Sequence, residues 1–271
     1  MSEDFAGMSV VVTGAGRGLG RGIAEAFAAA GAKVTIGART LAYAEQAKAA
    51  IEAQGGTVEI VECDVSRHAD CTALIEAAAT AFGGVDVVIH CAADIPHGGL
   101  GAVSDDRLEA GFASIAKAAW WLLDAARPHM AKRGFGRFIA IGSINGTTTV
   151  VPNMTAYGMA KGALLAFVKG AAVDVVKDGI TVNGIQPGLI ASDHARRTLG
   201  DEGLAAYGAS VPVGRAGEAA DFAHACMFFA SPQAGYVTGA SLVMDGGSSL
   251  APGSGSRNDI LQERLKAKAG E

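Results

Sequence analysis

Ser143, Tyr157 and Lys161 are side chains whose types and spacing make an acid-base centre. A run with strand character, residues 137–141, ends just ahead of Ser143. A helical pattern opening near Thr155 then places Tyr157 and Lys161 four residues apart on one face. A free phenol titrates near pH ~10, so at neutral pH it is a poor base unless a neighbouring cation favours the phenolate. Lys161 stands where that cation would be. A serine hydroxyl beside the phenol can hydrogen-bond a carbonyl or alcohol oxygen and hold it where the phenol exchanges a proton with it. Such a trio activates a ketone or an alcohol. A Tyr-x-x-x-Lys pair alone also describes a tyrosine beside a solvated lysine on a helix surface, so the surrounding elements must decide.

Those elements alternate. Residues 9–13 form a short, continuous, β-branched run of the kind buried in a parallel sheet, and glycines follow at once. The segment Gly14-Ala-Gly16-Arg17-Gly18-Leu19-Gly20 opens a helical pattern with Leu19, Ile23 and Phe27 at four-residue spacing, ending near Gly31. A strand, a glycine loop and a helix in this order bring backbone N–H groups and a positive helix end up to a pyrophosphate. The spacing is Gly-x-x-x-Gly-x-Gly. Further strand candidates lie at 33–37, 57–62, 85–90, 136–141, 181–185 and 240–244, with helical stretches between them. Seven strands alternating with helices predict an α/β fold, a Rossmann-like doubly wound parallel sheet with helices on both faces in a single domain, residues 1–247. Three connections, 92–105, 145–154 and 186–214, are long enough to build a site beyond the strand ends, and the last reads as a lid over substrate. Residues 248–271 read as a flexible tail, with a short polar helix within 258–271.

Composition narrows the function classes. The chain has 271 residues, half of them apolar and 38 of them glycine, which suits closely packed helices on one sheet. A net charge of -5 without a basic block leaves no electrostatic footprint for nucleic acid. Cys63, Cys71, Cys91 and Cys226 follow no disulfide or metal spacing and read as reduced packing residues, and no histidine pair has metal-ligand spacing. The N-terminus carries Glu3 and Asp4 and lacks a signal-peptide pattern, and no run of 18 uncharged apolar residues occurs. The expectation is a cytoplasmic protein with no metal and no membrane contact.

The combination resembles the short-chain dehydrogenase/reductase family over roughly residues 8–247. It rests on Thr13-Gly14-Ala-Gly-Arg-Gly18-Leu-Gly20, Asp64 in Cys-Asp-Val, Ser143, Tyr157-Gly-Met-Ala-Lys161, Pro187-Gly188 and Asp245-Gly246-Gly247, in the family's order. The resemblance implies hydride transfer between a nicotinamide cofactor and a ketone or secondary alcohol of small or medium size. Tyr157 would be the general acid/base and Ser143 would orient the reacting oxygen. Lys161 would lower the phenol pKa and hold the nicotinamide ribose. It further implies that Gly14, Gly18, Leu19 and Gly20 line the pyrophosphate, and that Asp64, Val65 and Ala92 meet the adenosine side. Pro187, Gly188, Ile190 and Ser192 would lie along the nicotinamide carboxamide.

Two departures stand out. His90-Cys91-Ala92-Ala93 replaces the family's Asn-Asn-Ala-Gly, for which altered packing with retained cofactor binding is expected. Ser114 stands where the family has an Asn that helps hold a relay water, and it supplies fewer hydrogen-bonding sites. At the end of the second strand Ala38 takes the place of the acid that usually selects NAD, and Arg39 follows. With Arg17 it could engage a phosphate bidentately, so NADP(H) is favoured over NAD(H). Trp120 and Trp121 read as filling a helix packing interface, and His97 and His194 as solvated loop histidines. The helices over 114–130 and 158–176, with Phe228, Phe229 and the last strand, resemble the faces that build a dimer or dihedral tetramer in the family. A nucleotide-binding sensor without turnover is the rival reading, and an epimerase or dehydratase a third.

Overall fold

The computed structural model describes residues 5–250. Strand β1 (Ser9–Thr13) is buried along its whole length, as its β-branched run requires. It pairs in parallel with β2 (Lys33–Ala38) on one side and β4 (Val87–His90) on the other. β3 (Thr57–Glu62), β5 (Gly136–Ile141), β6 (Ile180–Pro187) and β7 (Ser241–Met244) complete a seven-stranded parallel sheet in the order β3-β2-β1-β4-β5-β6-β7. The order reverses between β1 and β4, and a crevice opens beyond their carboxyl ends, where open parallel sheets take their ligands.

One face is covered by α1 (Gly18–Ala29), α2 (Leu41–Glu52) and α8 (Ala219–Ala230), whose Ile23, Phe27, Ile51, Phe222 and Phe229 join one core with the sheet. On α1, Ile23 and Phe27 sit one turn apart on the inward face and are fully buried. The other face is covered by α3 (His68–Phe82), α5 (Ala118–Arg133) and α6 (Thr155–Val175), with Leu74, Ile75, Leu122, Leu164 and Val168 in the second core.

Two stretches depart from the expected elements. The helix after Asp105 is broken: α4 (Asp105–Phe112) passes into a π turn at Ala113–Lys117 before α5 begins, and Ser114 lies in that turn. A π turn carries one more residue per hydrogen-bonded ring than an α turn and so re-aims the side chains on it. The stretch expected as a lid holds α7 (Asp193–Ser210), bent at Gly200, whose φ of 71° and ψ of 168° favour glycine. Its Ala195, Leu199 and Leu204 form a small cluster of their own with Leu189, Ala191 and Ala216.

Smaller differences have local causes. β4 begins at Val87 rather than 85, because Asp86 turns its carboxylate to the Ser9 N–H at 2.8 Å and to Arg133. β6 runs on to Pro187, since the register with β7 continues to Met244. Trp121 stacks on His68 with 5.5 Å between ring centroids, and Trp120 meets Phe167 of α6 at 6.4 Å while remaining 61% exposed. The expected tail and short helix at 251–271 lie outside the described residues, and so does the side chain of His194.

Candidate active site

β5 carries the chain up to Ser143, and a loop that returns at once to α6 brings Tyr157 beside it. The close approach depends on Gly146. With φ at +91°, a Cβ there would stand 2.1 Å from the Gly158 carbonyl oxygen, so only glycine lets the loop press onto the helix. Buried Asn145 staples the loop: its N–H donates to Ser143 Oγ (3.1 Å), its Nδ2 to the Met154 carbonyl, and its Oδ1 accepts the Val151 N–H. Asn145 was not legible as a site residue, because a polar residue after a strand reads as an ordinary turn.

Tyr157 hydrogen-bonds Ser143. Lys161, one turn on, is 3% exposed; its Nζ donates to the Ile141 carbonyl at the end of β5 (2.6 Å) and lies 5.7 Å from the centre of the Tyr157 ring. Burial dominates both titrations. It pushes the phenol up to about 12, against the Ser143 hydrogen bond, which favours the phenolate. It pulls the ammonium down to about 8. The expectation that Lys161 holds the phenol below its ordinary value therefore meets a larger opposing effect, since desolvation of the phenolate outweighs its neighbours. At neutral pH the phenol keeps its proton and stands as a donor.

The glycine loop runs along the other end of the same cavity, of about 650 Å³. Gly14 has φ of +70°, and a Cβ on it would come within 2.8 Å of the Ala92 Cα. A Cβ on Gly20 would meet the Gly14 carbonyl oxygen at 2.6 Å. Helix α1 starts at Gly18 with no side-chain cap and no acidic residue in its first turn, so its positive end faces the cavity lined by Gly16, Gly18 and Leu19. This is a cradle for an anion that any side chain would fill, and it fits the pyrophosphate of a dinucleotide. Asp64 lines the cavity beside Val65, its Oδ1 accepting from the N–H and hydroxyl of Ser66. Arg17 stacks over Tyr43 at 5.2 Å, and exposed Arg39 borders both this cavity and a neighbouring one of about 510 Å³. Pro187, Gly188, Ile190 and Ser192 close the far wall, Ser192 capping α7 through the Ala195 N–H.

The candidate catalytic and cofactor-binding residues named from the sequence thus line one cavity, Ser114 included, whereas Asp245, Gly246, Gly247 and His97 lie outside its lining. Ser114 Oγ accepts the Asp94 N–H (3.0 Å) and donates to the Gly111 carbonyl (3.2 Å), so its one proton is committed. Asp94 is gripped from outside by Arg107 through two bonds, at 2.9 and 3.2 Å. The departure at 90–93 packs without loss. Thr13 Oγ1 accepts the N–H groups of Cys91 and Ala92, and His90 bridges Thr13 to the Ile115 carbonyl. Cys91, half-buried against this site, is pushed up to about 11 by burial and remains a thiol. His97 is exposed, and Arg196 pairs with Asp201 across the bend in α7. Among the described residues no group of His, Cys, Asp or Glu could hold a metal ion, and no helix is long and apolar enough to cross a membrane.

Comparison with known proteins agrees with this geometry. A family model described as Enoyl-(Acyl carrier protein) reductase matches residues 14–249. The chain is 36% identical over 248 residues to 3-oxoacyl-(acyl-carrier-protein) reductase FabG of Escherichia coli (strain K12), covering 90% of this chain and 98% of that protein. A 3-oxoacyl (acyl-carrier-protein) reductase from Agrobacterium tumefaciens C58, solved with NADP bound, superposes with a TM-score of 0.83 at 31% identity, covering 90% of this chain and 95% of the other. A 7α-hydroxysteroid dehydrogenase solved with NADH and 7-oxo glycochenodeoxycholic acid gives 0.85 at 29% identity, with the same two coverages. Sheet order, the open glycine cradle and these relatives together place the chain in the short-chain dehydrogenase/reductase family of NAD(P)-dependent oxidoreductases.

Proposed function

We propose that this protein interconverts a ketone and a secondary alcohol, with Tyr157 as the general acid/base. The observation that carries the reading is the cluster at the end of β5: a half-buried phenol hydrogen-bonded to Ser143, with the buried Lys161 ammonium held beside it. The glycine cradle, Asp64, Pro187 and Gly188 would hold a nicotinamide cofactor, which when bound would supply the hydride for reduction. Ser143 holds the substrate oxygen, and Tyr157 Oη gives that oxygen its proton as negative charge grows on it. A phenol that stays protonated well above neutral pH suits this donor role, and the Lys161 ammonium, 5.7 Å from the ring centre, is placed to stabilise the phenolate left behind. In the reverse direction the same oxygen takes the proton back. Residues 186–214, with α7 and its separate apolar cluster, form the substrate loop.

Replacing Tyr157 with Phe keeps the ring and removes the proton. Cofactor affinity should stay near that of the parent while ketone turnover falls at least ~10²-fold. A Tyr157→Phe enzyme as fast as the parent would show that another group moves the proton. A parent that binds the dinucleotide yet turns over no carbonyl or alcohol would favour a nucleotide-binding sensor instead.

We further propose NADP(H) as the preferred cofactor, with NAD(H) as the weaker alternative; the solved relatives include one with NADP and one with NADH. Support comes from the end of β2, where Ala38 offers no carboxylate to repel a 2′-phosphate and Arg39 is exposed at the cavity edge, with Arg17 nearby on the glycine loop. A charge-assisted phosphate contact is worth roughly 1.5 to 3 kcal/mol, so Arg39→Ala should lower the NADPH-to-NADH ratio of kcat/KM by about one to two decades. An unchanged ratio, or a parent that prefers NADH, would overturn this preference and leave the catalytic reading intact.

The working unit we propose is a dihedral homotetramer. Trp120, Met159, Val173 and Val176 stand exposed on or beside α5 and α6, and Phe228, Leu242 and Val243 on α8 and β7. β7 is one of the two edge strands of the sheet, and an apolar exposed edge invites pairing unless another chain covers it. Sedimentation should give a particle of four chains, reduced to a dimer by Val243→Asp. A parent sedimenting as a monomer at assay concentration would refute the assembly.

A further inference from the structure

His90 is 1% exposed and belongs to none of the groups that the proposed reaction uses, yet it stands at the switch point between β1 and β4. Counting protons around it fixes its state. The Thr13 hydroxyl has two acceptor sites, and both are taken by the N–H groups of Cys91 (3.1 Å) and Ala92 (3.2 Å). Its own proton is left for His90 Nδ1, 3.0 Å away. Nδ1 is therefore an acceptor, and the proton of the neutral ring sits on Nε2, which donates to the Ile115 carbonyl at 3.1 Å. The ring is the neutral Nε2–H tautomer.

Ile115 lies in the π turn, next to Ser114. That turn packs against α6 and sets the direction of Ser114, whose hydroxyl fastens Asp94 on the cavity wall. A π turn holds an extra residue that an α-helix would expel, and a side chain bonded into its ladder keeps it in place. We propose that His90 is a positioning residue: its neutral ring ties the end of β1 to the π turn and so keeps Ser114 and Asp94 on the cavity wall beside Tyr157 and Lys161. The proposal rests on the reading of this site as a carbonyl/alcohol oxidoreductase. Without the His90 bond the turn relaxes toward α-helical register, a rotation of about 100° per residue that swings Ser114 off the wall.

Protonation would break the same link, because Nδ1–H and the Thr13 O–H would then face each other as donors. The charged group facing the ring is Lys161 on α6, while β1 presents the Thr13 hydroxyl and the π turn presents the Ser114 and Ile115 carbonyls, all neutral. Burial, and then Lys161, lower the His90 pKa from 6.5 to about 4. The folded protein thus binds fewer protons than the unfolded chain between those values, and stability that is complete above pH 6.5 declines as pH falls toward 4.

The test combines kinetics with spectroscopy on the full chain. His90→Leu should lower kcat for ketone reduction at least ~10-fold while the KM for cofactor stays within about threefold. His90→Asn, whose amide offers an acceptor and a donor to the same partners, should recover kcat to within about threefold and flatten the loss of stability between pH 6.5 and 4. A His90→Leu enzyme with parental kcat, or a His90→Asn enzyme as slow as His90→Leu, would overturn the proposal. Should His90→Leu not fold, nitrogen NMR of the parent imidazole decides: the Nε2–H tautomer at pH 7 is expected, and an Nδ1–H or protonated ring sinks the idea. This last readout needs no turnover, so it stands apart from failure of the functional reading.

Discussion

The hydrogen bond from Lys161 Nζ to the Ile141 carbonyl, 2.6 Å long and shielded from water, is the contact on which the site depends. It ties α6 to the end of β5 at the one place where both carry chemistry. Ser143 follows Ile141 by two residues, and Tyr157 precedes Lys161 by one helical turn, so a single bond fixes serine, phenol and ammonium relative to one another. The Gly146–Gly158 approach and the Asn145 staple hold the connecting loop in the same arrangement. Buried charges are retained where they are hydrogen-bonded, and this lysine shows the rule at work.

Burial sets the charge state of the whole site. The phenol and the Cys91 thiol are pushed up, while the His90 imidazole and the Lys161 ammonium are pulled down, so each group is moved toward its neutral form by the same cause. Walled by fixed dipoles and with the Lys161 ammonium beside the phenol, this end of the pocket responds strongly to charge that appears on a substrate oxygen. At the opposite end of the cavity the start of α1, without a side-chain cap, holds a large, permanent, positive dipole suited to a phosphate rather than to a reacting carbonyl. The two ends divide the work: anion binding at the glycine loop, proton handling at β5.

Much of this was legible in the sequence because it is written in local periodicity. The β-branched run at 9–13, the spacing of Leu19, Ile23 and Phe27, and the four-residue step from Tyr157 to Lys161 each report a strand or a helical face directly. The cradle was legible too, since glycines between a strand and a helix have a short list of uses. What escaped are relations between distant segments. Nothing near Ser114 announces a π turn, which is stabilised by His90 from another strand. His90 itself reads as a departure from a motif until Thr13, 77 residues away, is seen to donate to it. The order of desolvation and neighbouring charge at Tyr157 also depends on packing, which no spacing reveals.

The central claim is that a hydride and a phenol proton reach the two ends of one carbonyl bond in this cavity. It is tested most directly by supplying NADPH deuterated at the transferable position of the nicotinamide with a panel of ketones, and analysing the alcohols by mass spectrometry. The account predicts one deuterium on the carbinol carbon for each NADPH consumed, with a single configuration at that carbon. NADPH oxidation without deuterium in the product, or none at all with any ketone while the dinucleotide binds, would contradict it.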